Sequence, residues 1–277
     1  MTLNPYQPLL ARLTDVLEET PTIKTFVVEP PRAFAFQAGQ FAQLTVPGIG
    51  EAPFTPSSDP ADPHRLEFTV IRTGRVTEEL HALRPGDMVG LRGPFGVGYP
   101  VSELRGKHVL IVGGGCGLAP LRSLIYTLLR QLEQGGAGGA PATMRIKYGA
   151  RESSELLYRR QYDAWDTCPN VSVDVTIDVP EPAWYGRVGV VTTLLERLET
   201  LPDETVAVSC GPEIMLKFVT QTLLERGLAP EHIVLSMNRR MSCGIGKCGR
   251  CNIGPYYLCR DGPDIHYAQI KDLANVF

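Results

Sequence analysis

Short apolar runs with β-branched and aromatic residues fill the first part of the chain, from about residue 6 to residue 101. Proline and glycine separate them at close intervals, and the clearest runs are 22–30, 39–47, 65–73 and 86–94. This pattern predicts short strands in an antiparallel barrel or sandwich. One helix is predicted among them at 76–83, with Thr77 as its N-cap.

Near Lys107 the pattern changes to longer apolar runs that alternate with stretches of helical spacing. Strands are predicted at 108–115, 144–150, 171–178 and 204–210, and helices at 118–134, 153–165, 190–199 and 212–227. Strands that alternate with helices are typical of a parallel, doubly wound α/β sheet. From about Ser236 the periodicity is lost, and we expect this last segment to bury little apolar surface on its own.

Composition narrows the class of protein. At 277 residues the chain is long enough for about two domains, and its net charge of -3 leaves no basic surface for nucleic acid. No run approaches the roughly 18 apolar residues of a membrane span, and the opening residues lack the pattern of a secretory signal. We therefore expect a cytoplasmic protein with no membrane insertion and no nucleic-acid partner.

Cysteines are concentrated near the C-terminus. Four of the seven have the spacing C-x4-C-x2-C-x7-C, at Cys243, Cys248, Cys251 and Cys259. The first three match the loop that plant-type [2Fe–2S] proteins wrap around their cluster, and the glycines between them permit a close backbone approach. A structural zinc site is the alternative, although its usual pairs are spaced C-x2-C and only one such pair occurs here. An odd cysteine count does not fit a disulfide framework.

A glycine loop follows the first buried strand of the α/β part and precedes a helix. Its glycines are Gly113, Gly114, Gly115 and Gly117. A strand, glycine loop and helix in this order bring backbone amides to a diphosphate, although the loop is not a G-x-G-x-x-G fingerprint. A tight turn without a ligand is the alternative. Cys210, Gly211 and Pro212 end a later strand, and we expect them at the same sheet edge.

The stretches VGGGCGLAPLRS, YGAR and SCGPEIM, in this order after a β-barrel, resemble the ferredoxin–NADP reductase superfamily. With the C-terminal MSCGIGKCGRCNIGPYYLCRDGP, the chain most closely resembles its FAD, NAD(P) and [2Fe–2S] electron-transfer subunits. The resemblance implies an FAD-binding barrel at 1–104, an NAD(P)-binding α/β domain at 105–235 and a [2Fe–2S]-binding segment at 236–277.

The resemblance also implies a flavin motif at 52–58. Phe54 would replace the tyrosine that lies against the flavin ring, and Thr55 the serine near the reactive nitrogen. The motif's arginine is absent, because Ala52 occupies its place. The remaining residues that we expect at the flavin, its diphosphate or the nicotinamide nucleotide are Pro53, Ser58, Arg72, Gly74, Val76, Thr77, Arg151 and Cys210, with Thr55 and Cys210 nearest the reacting atoms.

The resemblance implies an oxidoreductase that moves electrons between NAD(P)(H) and a partner redox chain through FAD and one [2Fe–2S] cluster. The partner would most closely match the iron–sulfur and [NiFe] subunits of a cytosolic hydrogenase. Anaerobic sulfite reductase, dihydroorotate dehydrogenase and a ferredoxin:NAD(P) oxidoreductase are alternatives. A redox-sensing module with vestigial nucleotide sites is a different class, and the missing arginine is its only support.

Overall fold

The computed structural model describes residues 4–134, 139–196, 198, 201, 204–274 and 276–277. Its N-terminal strands are β1 (Leu9–Glu18), β2 (Ile23–Glu29), β3 (Phe41–Val46), β4 (Gly50–Phe54), β5 (Leu66–Ile71) and β6 (Met88–Phe95). They form one six-stranded antiparallel sheet in the order β4-β3-β6-β1-β2-β5, which we call the N-terminal sheet. Helix α1 (Arg75–Ala82) connects β5 to β6. Alternating residues of these strands, such as Ala11 and Leu13, fill the core of this sheet.

The following part of the chain is a mostly parallel seven-stranded sheet. Its strands are β7 (His108–Gly114), β8 (Thr143–Ala150), β9 (Val171–Ile177), β10 (Arg187–Val188), β11 (Thr205–Cys210), β12 (Ile233–Ser236) and a C-terminal strand, Asp264–His266. Its helices are α2 (Leu118–Glu133), α3 (Tyr162–Asp166), α4 (Thr192–Glu196) and α5 (Glu213–Glu225). The strand order is β10-β9-β8-β7-β11-β12 followed by the C-terminal strand, and only this last pair is antiparallel.

The cysteine segment contains a two-stranded hairpin, β13 (Asn252–Ile253) with β14 (Tyr256–Tyr257), and then α6 (Leu258–Asp261). The C-terminal strand is therefore β15 (Asp264–His266), and α7 (Tyr267–Ile270) follows it. The apolar residues of this segment, including Met237, Leu258 and Ile265, are buried in one core with α5, so the segment buries them against the rest of the fold and not on its own. These buried residues lie far apart along the chain, so no local periodicity predicts their burial.

Two predicted elements are wrong in detail. The predicted helix 153–165 is two short 3-10 turns, Ser153–Glu155 and Arg159–Gln161, followed by α3. Three consecutive residues before α3, 156–158, are buried, which one face of a helix cannot achieve, and Tyr158 has φ +55°. The prediction that Thr77 is the N-cap of α1 is wrong, because the N-cap is Gly74 and Thr77 lies in the first turn. Of the predicted helix 190–199, residues 197 and 199 lie outside the described residues.

A buried ion pair joins the two sheets. Arg122 on α2 donates to Glu67 on β5 over 2.5 Å, and both side chains are less than 10% exposed. The Arg122 guanidinium also lies 4.3 Å from the ring centre of Tyr158 and 4.9 Å from that of Tyr126. The Tyr158 hydroxyl shares a hydrogen bond of 2.5 Å with Thr69 on β5. These contacts fix how α2 sits against the N-terminal sheet.

We predict that Glu67→Gln destabilises the fold by about 3 kcal/mol, because it leaves the buried Arg122 charge without its partner. The unfolding midpoint in guanidinium chloride measures this loss. Burial opposes ionisation of Glu67, but Arg122 and Arg65 together outweigh it and lower the carboxyl pKa, so the contribution of this ion pair to stability is lost as pH falls below the usual range of a glutamate.

The matched control is Glu204→Gln, which removes the partner of Lys107 from an exposed pair and should leave the midpoint unchanged. The double variant Glu67→Met/Arg122→Met should be more stable than Glu67→Gln, because no unpaired charge remains buried. An equal loss of stability in Glu67→Gln and Glu204→Gln would contradict this account of the contact between the two sheets.

Candidate functional site

A cavity of about 540 Å³ lies where the two sheets meet. Three groups of residues line it, from the N-terminal sheet, from the two loops after β7 and β11, and from the C-terminal segment. Those from the predicted site are Pro53, Phe54, Thr55, Thr77, Gly114, Gly115, Gly117, Cys210, Gly211 and Pro212. The sequence motifs, which are distant in the chain, therefore face one volume of about the size of a nucleotide or flavin ring site.

The two loops of the α/β sheet touch each other through glycines. A Cβ on Gly117 would collide with the Cys210 carbonyl and the Gly211 Cα, and one on Gly114 would collide with the Met215 sulfur. Gly115 differs, since it has φ +52° and nothing within 4 Å of its Cβ position. Gly114 and Gly117 are thus required for close packing of the loops, whereas Gly115 borders open cavity space.

The flavin-motif wall comes from the end of β4 and the start of α1. Pro53 and Phe54 end β4 at the edge of the N-terminal sheet, and Thr55 follows. Thr77 is buried in the first turn of α1, where its Oγ1 accepts hydrogen bonds of 2.9 Å from the Thr73 and Gly74 amides. This turn is held rigid beside the cavity, and the helix N-terminus favours an anion.

Six predicted residues do not line the cavity: Ser58, Arg72, Gly74, Val76, Gly113 and Arg151. Arg72 and Arg151 are exposed, so each could reach a ligand only from outside. Ser58 is buried with its hydroxyl unpartnered, and Gly113 faces Leu121 and Tyr148 inside the α/β core. Their contact with a cofactor stays a prediction.

Several lining residues were not among the predicted site residues. They are Phe41, Thr69, Val70, Ile71, Thr73, Cys116, Ala119, Pro120, Ser236, Met237, Asn238, Met241 and Pro263. Ser236 ends β12, the neighbour of β11, so strand order in a parallel sheet could have indicated it. Met241 and Pro263 belong to the irregular C-terminal segment and carry no local signal.

The cysteine loop directs its amides at sulfur. The amides of Ile245, Lys247 and Cys248 lie 3.3–3.5 Å from the Cys243 Sγ, and the Gly246 amide donates to the Cys259 Sγ over 3.0 Å. Positive φ angles at Gly244, Gly246 and Gly249 permit this turn. Amide hydrogen bonds to thiolate sulfur stabilise the charge of an iron–sulfur cluster and tune its potential, so the donor set fits that group.

The four thiols form two contacting pairs, Cys243 with Cys248 and Cys251 with Cys259. Burial disfavours the Cys243 thiolate, but the amide donors prevail and lower its pKa to about 6. At Cys259, burial and the neighbouring Cys251 raise the pKa to about 12. Within the described residues, no group of three His, Cys, Asp or Glu side chains is arranged around one metal-ion position. A [2Fe–2S] core has two irons, so its four ligands need not converge on one point.

The cysteine loop also packs directly on the N-terminal sheet. Arg92 donates to the Cys243 carbonyl over 3.5 Å and pairs with Glu51, and Gly244 lies against the Phe95 ring. The Phe95 ring centre is 5.6 Å from that of Phe41, which lines the cavity. Met241, also at the cavity, precedes Cys243 by two residues. The cavity and the cysteine loop are therefore neighbours.

Comparison with known domain families matches all three parts. Residues 10–99 match an oxidoreductase FAD-binding domain, 111–221 an oxidoreductase NAD-binding domain, and 238–271 the iron–sulfur cluster binding domain of dihydroorotate dehydrogenase B. The gamma subunit of sulfhydrogenase 1 from Pyrococcus furiosus is 36% identical over 96% of this chain and 93% of its own. The chain belongs to the family of FAD- and NAD-binding iron–sulfur electron-transfer subunits. It is an oxidoreductase that uses FAD, a nicotinamide nucleotide and an iron–sulfur cluster.

Other members of the family show the same likeness. The probable electron transfer subunit of dihydroorotate dehydrogenase B from Methanocaldococcus jannaschii is 34% identical over 93% of this chain and 89% of its own. Among solved structures, an NADH-dependent reduced ferredoxin–NADP oxidoreductase superposes with a TM-score of 0.77 at 24% identity, over 98% of this chain and 91% of its own. That likeness establishes the ferredoxin reductase-like fold. No helix in the described ranges is both long and apolar enough to cross a bilayer.

We predict that Gly115→Asn weakens nicotinamide nucleotide binding at least about tenfold without lowering the melting temperature, because asparagine tolerates positive φ and its side chain enters the cavity. The dissociation constant and the melting temperature are measured on the same FAD-loaded protein. Gly117→Ala is the contrast, and should lower the melting temperature because its Cβ meets the Cys210 carbonyl. Unchanged nucleotide affinity in a stable Gly115→Asn variant would place the dinucleotide elsewhere.

Proposed function

We propose that the chain transfers electrons between NAD(P)(H) and a partner redox chain through FAD and one [2Fe–2S] cluster. The observation that carries this proposal is the cavity, which is bordered by the flavin motif, by both glycine loops and by Met241, two residues before Cys243. FAD accepts a hydride from a nicotinamide and releases electrons singly, which matches a one-electron cluster.

The residues at the cavity have binding and positioning roles in this proposal. Phe54 and Thr55 would lie against the flavin, while Gly115 and the start of α2 would hold the nucleotide diphosphate. Burial raises the pKa of the Cys210 thiol to about 12, so Cys210 is a neutral side chain beside the nicotinamide and not a nucleophile. Hydride transfer needs no general base, and the protein contributes orientation and exclusion of water.

For the partner, we propose the iron–sulfur and [NiFe] subunits of a cytosolic hydrogenase, with this chain as their gamma subunit. Two sulfhydrogenase gamma subunits of Pyrococcus furiosus, 36% and 32% identical over 96% of this chain, support it. Dihydroorotate dehydrogenase is the second candidate, because its iron–sulfur domain matches residues 238–271. Sulfite reductase and ferredoxin:NAD(P) oxidoreductase subunits remain alternatives.

Purification of the tagged chain from its native cells under anaerobic conditions, with identification of the stoichiometric polypeptides, tests the partner. A nickel-containing large subunit is the expected result. A dihydroorotate dehydrogenase catalytic subunit instead would contradict the hydrogenase assignment and leave the electron-transfer role in place.

We predict that Cys248→Ser removes the cluster and leaves NAD(P)H-dependent bleaching of the flavin within about twofold of the wild-type rate. Cys248 is the exposed member of the four cysteines and does not line the cavity, so hydride transfer should not depend on it. Stopped-flow absorbance follows the flavin, and iron and sulfide analysis follows the cluster.

The control is Cys168→Ser, which changes a cysteine far from both sites in the sequence and should affect neither readout. Loss of flavin bleaching in Cys248→Ser, with FAD still bound, would show that the cysteine loop shapes the hydride site. Zinc in place of iron in the wild-type chain would refute the cluster.

A further inference from the structure

A buried carboxyl group lies directly behind the cavity wall. Asp264 begins β15 and pairs with Ser236 across the β12–β15 ladder. Its side chain is buried, at 7% exposure, and neither carboxyl oxygen has a partner at full hydrogen-bond geometry in the described structure, although the Ser236 hydroxyl lies close enough to favour the carboxylate. Ser236 and Pro263, its ladder partner and its preceding residue, both line the cavity. Burial of an unpaired carboxylate costs free energy. Such a group is therefore expected to be protonated or to have a functional role.

The surroundings of Asp264 come from three parts of the fold. Gly39, in the turn before β3, lies so close that a Cβ there would collide with the Asp264 Oδ2. The Tyr99 hydroxyl, which is also buried and unpartnered, and the Cys210 thiol face it as well. On its own strand, His266 is partly buried and meets Glu103, while Glu231 and His232 of the adjoining turn are exposed.

Burial raises the pKa of Asp264 well above its ordinary value, against the effect of the Ser236 hydroxyl. Burial likewise raises the pKa of Cys210 to about 12 and that of Tyr99 well above its usual value. Burial therefore favours the protonated form of all three groups. Of the three, the carboxyl is the one whose ordinary pKa lies below 7, so it is the one that a nearby cation could ionise.

The nicotinamide ring carries a positive charge in NAD⁺ and none in NADH. Given the proposed function, which places the nicotinamide beside Cys210, we propose that Asp264 is a specificity-determining residue that distinguishes the oxidised from the reduced nucleotide by losing its proton when the cationic ring binds. The proton passes to solvent, so binding of NAD⁺ and release of one proton are coupled. No bond of the nucleotide changes in this step.

The coupling has a direction that can be measured. Since NAD⁺ binding favours the ionised carboxylate, its affinity must rise with pH between the pKa of the nucleotide-bound and the free protein. A coupling of one pKa unit changes the affinity about tenfold. The neutral reduced ring gains nothing from the ionised carboxylate, so its affinity should not rise with pH. Asp264 would then favour release of NAD⁺ at low pH.

The test is equilibrium binding to the FAD-loaded chain between about pH 6 and pH 9, with NAD⁺ and its 1,4,5,6-tetrahydro analogue, which is uncharged at the ring and cannot donate a hydride. We expect the ratio of the two dissociation constants to shift about tenfold in favour of NAD⁺ as pH rises. The ratio cancels any titration that affects the shared adenylate part. Calorimetry in two buffers of different ionisation enthalpy should show proton release with NAD⁺ only.

Asp264→Asn should abolish both the pH-dependent shift and the proton release, while FAD content and analogue binding stay unchanged. Asp272→Asn, at an exposed position near the C-terminus, should behave as the wild type. A pH-independent ratio in the wild type, or a shift that persists in Asp264→Asn, overturns the inference. If Asp264→Asn does not fold, the wild type decides the test. Absence of proton release when NAD⁺ binds to it then overturns the inference. If neither ligand binds, the proposed function is itself wrong.

Discussion

The contact between the N-terminal sheet and the α/β sheet is the constraint on which the cavity depends. Neither sheet encloses the cavity alone, because Phe54 and Thr55 come from one and Gly115 and Cys210 from the other. Their separation is fixed by the buried Glu67–Arg122 pair and by the hydrogen bond between Tyr158 and Thr69. A buried ion pair of this kind adds little net stability, but it penalises every arrangement in which either charge loses its partner. The contact between the two sheets therefore favours one distance between the two sides of the cavity.

The C-terminal segment contacts both sheets and does not form a separate unit. Its strand β15 extends the α/β sheet, while Gly244 packs on Phe95 of the N-terminal sheet. A cysteine loop that touches both sheets lies within a few side chains of the cavity, as electron transfer between flavin and cluster requires. The amide donors at Cys243 prepare the loop for negative charge, whereas burial behind Ser236 favours the protonated form of Asp264. Burial raises the pKa at both places, but only at Cys243 do hydrogen-bond donors outweigh it.

Much of the fold followed from periodicity, since long apolar runs such as β7 and the helical spacing of α2 depend on local sequence. The cysteine spacing and the strand–glycine–helix order likewise predicted the cofactor classes. Features that depend on distant contacts were missed. The predicted helix 153–165 did not form as such, because Leu156, Leu157 and Tyr158 are all buried against other elements. The helical spacing of the sequence around them did not indicate this burial. Gly117 was assigned to the diphosphate, but its collision with Cys210 shows a packing requirement that only the folded loops reveal. Asp264 belongs to no motif.

Electron counting under anaerobic conditions tests the central claim most directly. The FAD- and cluster-loaded chain is titrated with NAD(P)H, and its absorbance and electron paramagnetic resonance are followed together. The account predicts uptake of about three electrons per chain, two on flavin and one on the cluster, with a reduced [2Fe–2S] signal close to one spin per chain. Uptake that stops at about two electrons, without a cluster signal although the iron and sulfide are present, would contradict it.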